Sequence, residues 1–222
     1  MEKNKKKRNV IIIFITLVGA AILLIILNFV MDKVNEIPMG EIFNSTSEPV
    51  AKNYTFVTPD YDANILEDTE YLDKNRYIEF TNGAMSVTIA DGRFSEYGKP
   101  LVFFNDYFNT VINGDHETYN AYFTENYYSD KTHVPFEKFT MQRVYNINAT
   151  QIQESLITVG EDYGNTMYLF RVSYMIMKND GTFRNDMGSD GAVPLMFELI
   201  YNNVTDKCMI NNITRYTNIA IE

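Results

Sequence analysis

The stretch Asp186 to Gly191, DMGSDG, places two carboxylates four positions apart beside two glycines. Such a pattern suits a cation held by loop oxygens. Aligned as a calcium loop with Asp186 first, however, the third position is Gly188, which has no ligand, and the twelfth is Phe197 instead of a bidentate Glu. The segment fails as an EF-hand, and an irregular calcium site using Asp186 and Asp190 stays open. Zinc has less to work with, because His116, His133 and Cys208 are the only His and Cys residues and none has a partner at ligand spacing. No nucleophile elbow, phosphate loop or dinucleotide fingerprint occurs. No catalytic, metal-binding or cofactor-binding residue is assigned, and no cofactor is expected.

The elements that carry these residues read from period and punctuation. RYIEF and AMSVTIA flank Asn82-Gly83, so residues 75–97 predict a β-hairpin leading into the domain. From Pro100 the period changes: Leu101, Phe104, Phe108, Val111 and Ile112 recur at helical spacing. Asn113-Gly114 ends that helix, and Asp115 caps a second one with Tyr119, Tyr122 and Phe123 on its apolar stripe. Residues 134–150 read two ways: a third short helix can start at Pro135, and VYNINATQI after it drifts to a strand pattern. MYLFRVSYMIM, VPLMFELIY and CMINNITRY then alternate with period two, the mark of antiparallel strands with one buried face. Asn179-Asp180-Gly181 reads as a hairpin tip, with Arg184 and Asp186 as an ion pair in the following loop.

Helices followed by long antiparallel strands imply an α+β fold, two or three helices packed on a curved sheet. Residues 98–222, carried by FFNDYFNTVINGDHETYNAYFTENYYSD and the paired strands after it, resemble an NTF2-like (cystatin-like α+β) domain. NDGTFRNDMGSDG is similar to loops of membrane-anchored clostridial proteins, and the layout of basic tail, single span and outer domain is similar to VirB8-type channel components. The NTF2-like resemblance implies a cavity between long helix and sheet, where enzymatic members place an Asp base and Tyr donors. Asp106, Tyr107, Tyr145, Arg171 and Tyr174 are the residues placed to reach such a pocket. Helical spacing also allows Asp106 to be solvent-exposed and the tyrosines to be core with their hydroxyls at the rim.

The N-terminal end sets topology. Val10 to Val30 is 21 residues without a charge, which as a helix at about 1.5 Å per residue matches a hydrocarbon core of about 30 Å. No small-residue cleavage site follows it, so an uncleaved single-pass anchor is expected. Lys3, Lys5, Lys6, Lys7 and Arg8 precede the run, which places residues 1–9 in the cytoplasm and everything after residue 30 outside the cell membrane. Residues 31–74, broken by Pro38, Pro49 and Pro59, read as an extracytoplasmic stalk, part of which can pack on the domain through the large apolar side chains Tyr54, Phe56 and Tyr61. Without the tail and span, 14 basic and 28 acidic residues remain, a formal charge of −14 that disfavours nucleic acid. With one cysteine, no intrachain disulfide can form, which fits a bacterial chain held by its core.

These features favour a non-catalytic interaction or assembly module, an envelope or conjugation and secretion-channel component that pairs with itself or another envelope protein. Arg171, Ser173, Met175 and Glu198 on strand faces, and Arg184 with Asp186 on the loop, are its candidate surface. The alternative is a pocket protein that binds a small ligand or acts as a cryptic enzyme.

Overall fold

The computed structural model describes residues 53–90 and 92–216. The tail over 1–9, the apolar span over 10–30 and the first part of the expected stalk lie outside them. Among the described residues no helix is long and apolar enough to cross a membrane.

The described residues form four α-helices and six strands, in order: α1 (Thr69–Leu72), β1 (Ile78–Asn82), β2 (Met85–Ile89), α2 (Lys99–Asn113), α3 (His116–Asn120), α4 (Glu125–Ser129), β3 (Val144–Leu156), β4 (Thr166–Ile176), β5 (Leu195–Asn202) and β6 (Lys207–Arg215). The α+β class is as expected. The strands form one open sheet in the order β2-β1-β3-β4-β5-β6. Every neighbour pair is antiparallel except β1 with β3, which run parallel with Ile78 opposite Ile147. The sheet was expected to be wholly antiparallel. The helices form the crossover between the hairpin and β3 and return the chain in the same direction. The hairpin is therefore part of the main sheet, not a lead-in to it. Register breaks in β3 and at Glu198/Leu199 bend the long strands.

Helix α2 lies where the spacing placed it. Leu101, Phe104, Phe108, Val111 and Ile112 are buried, as expected, but so are Phe103, Tyr107 and Thr110. The wider stripe follows from the rings of α3 and its flanks, which cover a second side of the helix: Tyr119 lies 5.6 Å from Tyr107, and Tyr122 5.3 Å from Phe103. At the corner, Gly114 adopts φ +69° and its N–H donates to Thr110 and Val111. The Asp115 side chain accepts from the Thr118 N–H at 3.0 Å, the cap that its position predicts. The third helix forms at Glu125–Ser129, capped by Thr124, and not at Pro135. Residues 134–143 have no regular structure, and Phe136 and Phe139 from this stretch pack on Tyr119.

Residues 53–74, expected as distal stalk, belong to the folded body. Ile65 and Tyr71 are buried, and the Tyr71 hydroxyl donates to the Val144 carbonyl at 3.0 Å. Asp68 caps α1 and pairs with Arg143 at 2.9 Å. Phe56 packs against Gly181, Tyr54 against Gly188, and the Val57 N–H donates to Asn179. Short 3-10 turns, one-turn helices and coil carry these contacts, so no hydrophobic period announces them.

Candidate functional site

Sequence placed five residues around a helix–sheet pocket, and the structure disperses them. Alternate positions of β4 face opposite ways. Phe170, Val172, Tyr174 and Ile176 face α2, and Leu169, Arg171, Ser173 and Met175 face away. Tyr174 is buried, 5.3 Å from the ring of Phe108. Tyr107 is also core, within 5.6 Å of Phe197. Burial drives the ionisation of both phenols upward, and they stay neutral. Arg171 is on the other side of the sheet, its guanidinium over the Tyr216 ring at 5.5 Å. Asp106 is exposed on the outer side of α2. Tyr145 sits opposite Met175 beside a register break in β3, is buried, and donates to Asp190 at 2.8 Å. Burial, then that hydrogen bond, push the Tyr145 phenol up to about 12.

Rings occupy the space where the pocket was expected. Phe104 meets Phe170 at 5.0 Å and Phe197 at 5.6 Å, both edge-on, the geometry that aromatic quadrupoles prefer. No acid, base and donor converge there.

The loop from Met177 to Pro194 overturns two expectations. It forms no hairpin return strand. Asn179 is fully buried, and its amide donates to the carbonyls of Arg184 and Met187 while its oxygen accepts from the Gly181 N–H. That accounting lets the loop fold inward as a plug. Phe183 fills a ring cluster with Tyr119, Phe136 and Phe139. Arg184 is not a tip residue: only 8% of it is exposed. It holds Asp186 in a two-point bridge (2.5 and 2.8 Å) and donates to the Tyr174 hydroxyl at 3.0 Å. Burial opposes the Asp186 charge, but the Arg184 hydrogen bond and charge outweigh it and hold the carboxyl below its ordinary range. Asp186 is thus committed to Arg184 and Arg215, and Asp190 to Tyr145, so the two carboxylates of the calcium reading serve separate partners. Among the described residues no cluster of three metal-ligating side chains forms.

His133 and Cys208 are taken up by the packing. His133 stacks on Tyr127 at 3.9 Å and bonds its carbonyl. Burial pushes the Cys208 thiol up to about 12, so it is inert as a nucleophile at neutral pH.

What the strands do assemble is the outer face of the sheet. Cross-strand register lines up Thr150, Arg171, Met196 and Thr214 in one row, and Gln153, Leu169, Glu198 and Asn212 in the next. Ser155, Met167, Ile200 and Met209 form a third. Arg171, Ser173, Met175 and Glu198 therefore share this face, and Arg184 and Asp186 do not. Strand alternation in the sequence puts Leu169 with Arg171, and Met196 with Glu198, but of this face the candidate surface named only Arg171, Ser173, Met175 and Glu198 and left out Leu169, Met196 and Met209. Glu198 is oriented by Asn211, the residue at the β6 bulge, at 2.5 Å. No family model, no curated protein and no solved structure matches this chain.

Proposed function

We propose that this chain is a single-pass, membrane-anchored, extracytoplasmic interaction module with an NTF2-like domain, a non-catalytic envelope or secretion-channel component that pairs with a second copy or with another envelope protein. The uncharged run from Val10 to Val30 and the basic residues before it support the anchor and its orientation. One observation carries the interaction reading. The sheet is packed on one side by a filled aromatic core, while the other displays contiguous rows that mix Met167, Met196, Met209 and Leu169 with Arg171 and Glu198. Methionine side chains adapt to a partner's shape, and Arg with Glu sets orientation.

The test is crosslinking of the full-length chain in its membrane, with a photoreactive side chain at Ser173. The expected result is a discrete adduct, to itself or to one envelope protein, that disappears when Leu169→Asp and Met196→Asp are introduced. A full-length protein that is monomeric by light scattering in detergent and gives no adduct in cells overturns the reading.

A further inference from the structure

A groove of about 370 Å³ runs along the flank of α2 that faces β1. Its floor is apolar and buried, formed by Ile78, Phe108, Ile112 and Ile147. Its rim is polar: Lys74 and Arg76 come from the link between α1 and β1, and Asn105 and Asn109 stand one turn apart on α2. Tyr77, 48% exposed, lies at its edge.

Two cations without a carboxylate partner line this groove. The chain has ten more acidic than basic residues, and Arg93, Lys99, Arg143, Lys178, Arg184 and Arg215 all pair with carboxylates. Among the described residues Lys131, Lys138, Arg171 and Lys207 pair with none but do not line the groove, and Lys74 and Arg76, which do line it, pair with none either. Each lies over a ring instead, Lys74 at 5.4 Å from the Tyr145 centroid and Arg76 at 5.6 Å from that of Tyr71. A ring face positions a cation without neutralising it. The carboxamides are also ordered. Asn109 donates to Asn105 at 3.3 Å and Asn105 to Asp106 at 3.2 Å, which leaves each amide a second hydrogen to donate. Two unpaired cations and two amide donors above an apolar floor form the complement of an anion attached to an apolar body.

We propose that this groove is a binding site for a small organic oxyanion, a carboxylate or phosphate carried on a short aliphatic or aromatic group. The oxyanion lies between Lys74 and Arg76, and the body lies on Phe108 and Ile112. A volume near the lower end of small-ligand clefts suits one short body. The site is separate from the outer sheet face and stands or falls independently of it.

The experiment uses the full-length chain in phosphatidylcholine nanodiscs, with 4-phenylbutyrate, phenyl phosphate and the neutral 4-phenylbutanamide as probes, read by calorimetry and by ligand NMR. At low salt at least one anion binds with a Kd below about 1 mM, and the amide binds at least about tenfold more weakly. The stronger anion identifies the head group. K74M with R76M keeps the aliphatic stems over their rings, holds the melting temperature and weakens the anion by about tenfold or more. Asn109→Asp, an exposed helix position, weakens it too and serves if the double variant unfolds. No saturable binding of either anion up to about 10 mM, equal binding of the amide, or unchanged affinity in both variants overturns the proposal.

Discussion

Arg184 shows how far a residue's role depends on its surroundings. Met177 to Pro194 is a polar-looking stretch, and a charged pair two positions apart in it suggests an exposed, dispensable bridge. The structure buries that pair beneath the plug and bonds it to Tyr174. Removing one partner of such a pair strands the other's charge. Arg184→Met is expected to cost about 3–5 kcal/mol, which lowers the melting temperature by about 10 °C in a circular-dichroism melt. The pH dependence follows from Asp186. Its folded pKa lies below the ordinary 3.8, so its contribution is present above 3.8 and is lost as pH falls through the lower folded value. The gap between wild type and Arg184→Met is therefore expected to narrow below about pH 4. A gap that stays constant from neutral pH down to pH 3 counts against the assignment.

At the scale of elements, the corner between α2 and α3 couples helix to sheet. A Cβ on Gly114 would lie 2.9 Å from the Met141 backbone nitrogen, and its φ of +69° disfavours any side chain. The close approach is used, because Gln142 donates its N–H to the Ile112 carbonyl beside it. Gly114→Ala is expected to destabilise by about 1–3 kcal/mol in urea unfolding, with an unchanged m-value. Ala at the equally left-handed but unobstructed Gly160, with nothing within 4 Å, is expected to cost less. Equal costs at the two sites would show that φ alone matters at the corner. The helix, its Asn-Gly stop and its Asp cap were legible, because each is a local signal within a few residues. The Pro135 helix was not: Phe136 and Phe139 are drawn off into the ring cluster with Tyr119 and Phe183.

For the whole molecule, the decisive matter is where the domain begins. Sequence punctuation put that boundary near residue 75, and the packed body begins at Asn53. Ile65 and Tyr71 each bury a large side chain, worth roughly 1.5–3 kcal/mol apiece. Asp68 with Arg143, and Phe56 with Tyr54, add contacts to β3 and to the plug. Together the Ile65 and Tyr71 side chains come to about 3–6 kcal/mol, comparable to the lower end of an ordinary domain's stability of about 5–15 kcal/mol. A fragment of residues 53–222 is expected to unfold cooperatively, and one of 75–222 to lack a sharp transition and to be cut rapidly by protease. Equal stability of the two fragments would restore the stalk.

Alternation within β4 and β5 determined which residues share a sheet face, and the period of α2 determined its buried stripe, because both follow from the geometry of a single element. The same local reading supplied the candidate anchor and its orientation, which depend on the hydropathy and charge of contiguous residues. Only the tertiary structure decided that β1 runs parallel to β3, that residues 53–74 and the plug loop are core, and that the expected pocket residues lie on different faces. Those outcomes depend on which distant side chains compete for the same buried space, and period and spacing carry no record of that competition.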